Sequence, residues 1–263
     1  MLARIEMKLR CQDNLSYQMS SLFHGVLMER LSEEYGAYLH ESRLHPYAQH
    51  LECRDREWYW IVNALNKEAV RNIIYEGLLP VDSITVKRRE LELSLDRKKV
   101  DECTYRELTD QFYFLESRRY IEVHFITPTA FKQQGRYVFY PDLRCIYQSL
   151  MNKYDAAVKE ESMCDEETLK ELCRNSEIKH YDLKSTQFYL EGVRIPSFIG
   201  KITIRIGGTQ TMTNFANLLF QFGTYSGVGI KTSLGMGAIK LLEKGESRRD
   251  RATDQTSCGK YAP

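Results

Sequence analysis

One order of predicted secondary-structure elements occurs twice in this sequence, and this repetition limits the possible folds. In the first half, apolar residues alternate with charged ones over residues 3–9, which predicts a half-buried strand. Apolar residues then recur with helical spacing from Met19 to Leu31. Predicted strands over Glu57–Leu65 and Ser83–Leu93 enclose a second, shorter helix. The first half therefore has the order strand, helix, strands, helix, strand.

The second half repeats this order. A predicted strand over Tyr120–Thr127 precedes a helix that starts after Pro141-Asp142, and a hairpin turns at Glu191–Gly192. A last helix then precedes a strand over Gly235–Leu242. Two βαββαβ units in succession predict an α+β fold of two tandem ferredoxin-like, or RRM-like, domains.

Domain boundaries follow from the two units. We expect a first domain over residues 1–118, a second over residues 119–243, and a flexible tail over residues 244–263. The tail is expected to be flexible because it is polar and has no apolar period. Tyr105–Leu115 has a helical pattern and would lie at the join between the domains.

Length and composition exclude several classes of protein. The chain has 263 residues, of which 43% are hydrophobic, yet no apolar run reaches the roughly 18 residues of a membrane span. The seven cysteines are odd in number and form no C-x-x-C pair, which indicates reduced thiols and a cytoplasmic protein without membrane contact. Because the net charge is only +1, any nucleic-acid binding has to rest on local clusters of basic residues.

A glycine-rich segment, G-x-G-x5-G-x-G over residues 227–237, lies between the last predicted helix and strand. A phosphate-binding P-loop is excluded because Ile230 separates Gly229 from Lys231, and a dinucleotide-binding loop would have to follow a strand. Two interpretations remain. The segment is a flexible loop, or its bare backbone N–H groups lie against a phosphodiester backbone together with Lys231 and Thr232.

Three histidines, His40, His45 and His50, follow the first predicted helix at intervals of five residues. They permit a zinc site with Cys53, a purely structural role, or general acid–base catalysis, for which histidine is suited by a pKa near neutrality. The chain has no compact carboxylate cluster of the kind that holds Mg²⁺ in nucleases. We therefore favour histidine chemistry that needs neither a metal nor another cofactor.

Basic residues cluster on predicted strands. Lys87 and Arg88 belong to such a cluster, and Arg205 adds a charge in the second half. Solvated strand faces would explain these charges equally well. Together with 17 tyrosines available for stacking on bases, they favour single-stranded or hairpin RNA as a ligand.

Several segments coincide with one known family. They are Phe23-His24-Gly25, Tyr38-Leu39-His40-Glu41, His45-Pro46-Tyr47, residues 125–132 and the glycine-rich segment. Through these segments the chain resembles the Cas6 enzymes, the CRISPR-associated endoribonucleases of the RAMP superfamily. The resemblance covers about residues 1–243. The resemblance implies tandem ferredoxin-like domains and metal-independent cleavage of precursor CRISPR RNA within its repeats.

The resemblance also implies residue roles. His40 matches the family's catalytic histidine, and His45 occupies the position of a lysine found in some members. Some members carry a tyrosine near the position of Met28, so His45 or a nearby tyrosine is the expected partner of His40. Arg43 or Lys231 would stabilise the transition-state charge. The residues expected to bind RNA are Arg43, Tyr47, Lys87, Arg88, Arg205, Gly227, Gly229, Lys231, Thr232, Ser233, Gly235 and Gly237.

One alternative function belongs to a different class. A RAMP-fold protein can bind CRISPR RNA without cutting it, as a subunit of an effector complex, and the glycine-rich segment and basic strands suit both functions. The pair His40 and His45 favours the enzyme, because a pure binder does not need two imidazoles beside its RNA. The expected partners are CRISPR repeat RNA, effector-complex subunits and a second copy of the chain. His24, within the first predicted helix, is expected to have no catalytic role.

Overall fold

The computed structural model describes residues 1–11, 15–158 and 165–242. Its first sheet has five antiparallel strands in the spatial order β2-β3-β1-β5-β4. Their bounds are Leu2–Arg10 for β1, Tyr47–Arg54 for β2, Glu57–Ala64 for β3, Ser83–Val86 for β4 and Leu91–Cys103 for β5. In the central strand, Ile5 lies opposite Val62 and Val100, and the alternate residues of β1 fill the core.

Three helical segments accompany this sheet. They are α1 (Ser20–Met28), α2 (Glu33–Glu41) and α3 (Lys67–Ala69), which continues as a π-helix over Val70–Leu78. A 3₁₀ turn over Tyr17–Met19 leads into α1. Asn66 caps α3, because its side chain accepts a hydrogen bond from the Ala69 N–H group at 2.8 Å.

The second sheet has four antiparallel strands in the order β11-β6-β10-β9, and β7 and β8 form a separate hairpin. The strands are β6 (Tyr120–Thr129), β7 (Phe131–Gln133), β8 (Arg136–Val138), β9 (Ser176–Leu190), β10 (Val193–Ile206) and β11 (Ile239–Leu241). The helices are α4 (Tyr105–Phe112), α5 (Leu143–Val158), α6 (Glu166–Asn175) and α7 (Gln210–Ser226), followed by a 3₁₀ turn over Thr232–Leu234.

In the first sheet β1 and β3 are central, with β2 and β5 beside them. In the second sheet β6 and β10 are central, with β9 and β11 beside them. This arrangement, with the helices in the order βαββαβ, confirms two tandem ferredoxin-like folds. Each has its own apolar core. We propose residues 118 and 119, just before β6, as the boundary, although Leu108 of α4 packs into the second core.

The structure corrects the local predictions at four places. The helix expected from Met19 to Leu31 is shorter than predicted, because α1 ends at Met28. A second helix that was not predicted, α2, begins at Glu33, where the Ser32 hydroxyl caps it by accepting from the Tyr35 N–H group. Strand β2 was not predicted. Ser83–Leu93 spans β4, a 3₁₀ turn and the start of β5, and the last strand, β11, is only three residues long. The predicted tail over residues 244–263 lies outside the described residues.

Within residues 1–11, 15–158 and 165–242, no helix combines the length and the apolar character that crossing a membrane requires.

Candidate active site

A group of histidines lies where the two domains meet. His24 comes from α1, His40 from the last turn of α2, and His45 from the segment before β2. Tyr47 is the first residue of β2, and Ser233 belongs to the 3₁₀ turn of the second domain. The first domain therefore supplies the imidazoles, and the second domain supplies one wall of the site.

Three of these side chains, His24, His45 and Tyr47, have nearly parallel rings whose centroids form a triangle. The ring centroids of His45 and Tyr47 are 5.5 Å apart at an interplanar angle of 13°, and those of His24 and His45 are 6.2 Å apart at 11°. The Tyr47 hydroxyl is 2.8 Å from Nδ1 of His24 and lies close to the Ser233 side chain. Tyr47 is only 1% exposed and therefore held in place, so its contact with Nδ1 fixes the orientation of the His24 ring.

Burial controls the charge of two imidazoles. The pKa of His24 is lowered to about 4, first by burial and then by the neighbouring His45 and His40 rings. Burial also lowers the pKa of His45, and His40 adds to that effect. Burial disfavours a charged imidazolium, so both residues are neutral at pH 7. His40, in contrast, is exposed at the mouth of the group.

In both neutral imidazoles, Nε2 is the ring nitrogen that can contact a ligand. Nδ1 of His45 is enclosed and has no hydrogen-bond partner among the described residues, so Nε2 is the nitrogen available to a ligand. Tyr47 engages Nδ1 of His24, which leaves Nε2 of that ring available too. A neutral Nε2 accepts a proton in one tautomer and donates a hydrogen bond to a phosphate oxygen in the other.

Gln49 joins this site to the second domain. It is 1% exposed, and its Nε2 donates to the carbonyl oxygens of Ser20 in α1 at 2.8 Å and of Ser233 at 3.0 Å. Its Oε1 accepts from Nε1 of Trp60 at 3.0 Å. A buried amide with its partners in place holds them in a fixed arrangement. Gln49 therefore positions the Ser233 turn against α1 and β2.

The glycine-rich segment is shaped by close packing. A Cβ atom at Gly235 would lie 2.1 Å from Cβ of Ser20, and one at Gly237 would lie 2.0 Å from the Val228 carbonyl oxygen. Both glycines also have positive φ angles, 104° and 71°. Gly227 and Gly229 likewise have positive φ angles and no room for a side chain. The glycines are thus required for the fold of this segment.

The expectation of bare N–H groups at these glycines is wrong. The N–H group of Gly227 donates to the Gly223 carbonyl at 2.9 Å, and that of Gly237 donates to the Pro128 carbonyl at 3.0 Å. The N–H group of Gly229 donates to Oγ of Ser149 at 2.8 Å, and that of Gly235 donates to the Thr232 carbonyl at 3.4 Å. All four groups are therefore used within the protein.

Comparison with known proteins agrees with the fold. A family model described as CRISPR-associated endoribonuclease Cas6 matches residues 123–239. A CRISPR-associated endoribonuclease Cas6 from Streptococcus thermophilus is 36% identical over 232 residues, which cover 88% of this chain and 95% of the relative. This chain belongs to the Cas6 family.

Two further relatives support the assignment. The Cas6 endoribonuclease of Mycobacterium tuberculosis is 33% identical over 224 residues, covering 83% of this chain and 70% of the relative. Among solved structures, a Cas6 product complex superposes with a TM-score of 0.76 at 20% identity, covering 92% of this chain and 100% of that one. The Cas6 fold therefore extends through both domains.

The structure brings the two predicted catalytic residues of this Cas6 chain into one electrostatic group, since the His40 ring lowers the pKa of His45. His50 is separate from that group, because it lies within β2, is 6% exposed and is near Glu52. In the described part of the chain, no three His, Cys, Asp or Glu side chains come close enough to share a metal ion. The alternative zinc site of His40, His45, His50 and Cys53 is therefore wrong.

Of the residues expected to bind RNA, Arg43 and Lys231 are exposed and have no ion-pair partner among the described residues. Lys87 and Arg88 are exposed but pair with Glu29 at 2.9 Å and Glu191 at 3.6 Å. Those two cations would have to exchange a carboxylate for a phosphate in order to bind RNA.

Two other expectations need correction. Tyr47 is too deeply buried to stack on a base, and its contact with His24 gives it a positioning role instead. The turn at Glu191 precedes the start of β10, whereas Arg205 lies near the end of that strand. At about 3.3 Å per residue, the start of the strand and Arg205 are roughly 40 Å apart. Because Glu191 is close enough to raise the pKa of His24, Arg205 is distant from the histidines. Thr232 and Ser233 are each 9% exposed, so they present little surface to RNA.

His24 was expected to have no catalytic role, yet it lies within the histidine group. Its position next to the buried Phe23 on α1 gives it the appearance of an ordinary helix residue. The contact that changes this view is with Tyr47, which is distant in the sequence. The Phe23-His24-Gly25 segment of the family resemblance was the one signal that singled it out.

Proposed function

We propose that this chain is a metal-independent endoribonuclease that cleaves precursor CRISPR RNA within its repeats and so produces guide RNAs. The observation that supports this most strongly is the grouping of three imidazoles, of which burial keeps His24 and His45 neutral. The relatives are named CRISPR-associated endoribonucleases, in agreement with this proposal. Our proposal for the ligand is accordingly the CRISPR repeat RNA.

The proposed reaction uses a nucleophile that belongs to the RNA. The ribose 2′-OH next to the scissile bond loses its proton to a base and attacks the adjacent phosphorus. The bond from phosphorus to the 5′ oxygen breaks, and that oxygen takes a proton from an acid. The products are a 2′,3′-cyclic phosphate and a 5′-hydroxyl, and the proton balance is closed without water or metal.

The geometry supports a division of these tasks. We assign one proton transfer to His40, which is exposed, and the other to Nε2 of His45, the nitrogen of that ring that is available to a ligand. We assign His24 to a hydrogen bond with a phosphate oxygen or to the second proton transfer, since Tyr47 fixes its ring. Arg43 and Lys231 are the exposed cations of the adjoining segments and would stabilise charge on the five-coordinate phosphorus.

A subunit that binds CRISPR RNA without cutting it is the second candidate. It would need the basic residues and the glycine-rich segment, but it would not need two neutral imidazoles held beside an exposed third. The effector-complex subunits, the homodimer and the cytoplasmic location proposed for this chain rest on its sequence and on the resemblance to the family.

Cleavage is expected to proceed fully in EDTA. End-labelled repeat RNA from the chain's own genome is incubated with the protein at neutral pH, and the products are separated on a denaturing gel. One cut per repeat with a cyclic phosphate end supports the endoribonuclease. Loss of cleavage in EDTA that Mg²⁺ restores would overturn the proposed chemistry. Binding without any cutting would favour the subunit.

RNA affinity is expected to rise as the pH falls from about 6.5 towards about 4, the range between the ordinary pKa of a histidine and the lowered pKa of His24. A phosphate beside His24 and His45 raises the pKa of each ring, so binding takes up protons and is favoured where protons are more abundant. The measurement is the Kd of the protein for a repeat RNA at each pH, with a 2′-deoxy nucleotide at the cleavage site of the RNA. A His24→Gln, His45→Gln double variant should lose this dependence, and an equal dependence in that variant would contradict the assignment.

The stability of the free protein has the opposite pH dependence. A histidine whose pKa is about 4 when folded and about 6.5 when unfolded stabilises the fold fully above the higher value. That contribution is lost progressively as the pH falls from about 6.5 towards about 4. Melting curves at each pH therefore accompany the titration, so that weaker folding is not confused with weaker binding.

A further inference from the structure

A cleft of about 420 Å³ opens beside the histidine group and has no role in the chemistry above. Leu44 of the first domain forms one side of it, and Phe131, α5 and Ile230 of the second domain form the others. Leu44 immediately precedes His45, so their Cα atoms are about 3.8 Å apart. The cleft therefore adjoins the segment that carries His45.

The lining of the cleft suits a flat heterocycle with polar edges. Leu44, Phe131 and Ile230 provide apolar surface, and Lys132 provides positive charge, whereas Arg144 is paired with Glu166 at 3.0 Å. No lining residue is acidic. The volume lies in the range of about 300–1,000 Å³ that is typical of small-ligand sites. An anionic ligand with an aromatic part matches this combination.

Two amides on α5 add the ability to distinguish one base from another. Nε2 of Gln148 donates to Oδ1 of Asn152 at 2.9 Å, one helical turn further on. This bond orients both side chains and leaves Oε1 of Gln148 as an acceptor and Nδ2 of Asn152 as a donor. No other side chain within the described residues satisfies these two atoms. An acceptor beside a donor is the pattern that amide side chains use to recognise base edges.

The same helix holds the glycine-rich segment. Oγ of Ser149 accepts from the Gly229 N–H group at 2.8 Å, and Nζ of Lys153 donates to the carbonyl oxygens of Gly227 at 3.0 Å and Ser226 at 3.3 Å. Gln148 and Asn152 directly precede these two anchors along the helix. The amides of the cleft are therefore fixed relative to the segment that ends at the Ser233 turn.

We propose that this cleft binds one unpaired nucleobase beside the scissile phosphate, and that Gln148 and Asn152 recognise its hydrogen-bonding edge. The proposal rests on the proposed function and adds to it a determinant of RNA sequence. The phosphate next to that nucleotide lies against Lys132, which contributes affinity without reading the base.

The test compares repeat RNAs that differ at one nucleotide. Each nucleotide flanking the cut is replaced in turn by the other three bases, in RNA made uncleavable by a 2′-deoxy nucleotide at the cut. Unaltered protein should discriminate at one flanking position by about 5- to 150-fold in Kd, the range for a pair of base contacts. A Gln148→Ala, Asn152→Ala double variant should bind all four bases there with nearly equal Kd.

Two further variants separate the outcomes. Lys132→Ala should weaken binding of every RNA by the same factor, and Gln111→Ala, an exposed amide on α4, should change nothing. Discrimination that survives in the Gln148→Ala, Asn152→Ala variant, with its melting temperature unchanged, would overturn the base-binding cleft. A uniform loss of affinity in that variant would identify the cleft as a path for the backbone alone. If unaltered protein leaves cleavable repeats uncut, it is the proposed function that fails.

Discussion

Replacing His40 by alanine is expected to slow single-turnover cleavage of repeat RNA by about 10²–10⁴-fold, the range for loss of one acid–base group. His40 is the exposed member of the histidine group, and it is close enough to the other two rings to lower the pKa of each. RNA affinity should change by only a few-fold, because phosphate and base contacts elsewhere dominate it. The loss would thus appear in the rate and not in the Kd.

A matched control for this variant is His180→Ala. His180 is exposed on β9 opposite Thr203, and it does not belong to the histidine group. Its replacement should leave the cleavage rate unchanged. His45→Ala should be as slow as His40→Ala if His45 transfers the second proton, and faster if it only contacts the phosphate. Cleavage by His40→Ala at the unaltered rate would refute the central assignment.

A single 2′-deoxy nucleotide at the cleavage site is expected to abolish cleavage while leaving binding largely intact. The 2′-OH is the proposed nucleophile, and its removal takes away the reacting atom, whereas the phosphates and bases that provide affinity stay in place. No rearrangement of the protein can replace that oxygen, so this effect should exceed that of any single side chain.

The measurement uses two RNAs that differ only in where the deoxy nucleotide lies. In the control RNA it lies one nucleotide away from the cut, and cleavage should proceed at the normal rate. The Kd values of both RNAs are measured under the same salt conditions, because affinity for nucleic acid depends steeply on salt. Normal cleavage of the first RNA would mean that water attacks the phosphorus, and the histidines would then need a different role.

Much of the fold could be predicted from periodicity and from turn residues. The strand β1, the hairpin around Glu191–Gly192 and the start of α5 after Asp142 follow from local pattern alone. Strand β2 could not be recognised, because both of its faces are covered. The side toward α1 holds Gln49, and the other side holds Glu52, which pairs with Lys240 of β11. Polar residues that are buried by the other domain disturb the alternation that marks a strand.

The site was predictable in part. His40 and His45 stand out through their spacing and through the family resemblance, but the partnership of His24 with Tyr47 depends on the packing of α1 against β2. The role of the glycines was not predictable either, because the atoms that exclude their side chains, such as those of Ser20 and Val228, come from other parts of the chain or from the turn itself. Local sequence indicates that a glycine is needed without indicating what it contacts.

Gly235 of the second half packs closely against Ser20 of the first half, so the side chains allowed in the two halves depend on each other. Position 235 tolerates no side chain, because its φ angle is 104° and a Cβ atom there would lie 2.1 Å from Cβ of Ser20. Ser20 is itself fully buried, so a larger residue at position 20 would press on the same turn. The choice of amino acid in one half thus restricts the choice in the other. In a chimera that joins the first half of this chain to the second half of a distant relative, each half would fold, but the residues at the interface between them would not pack together. Exchange between relatives is therefore expected to succeed for the whole chain more readily than for either half.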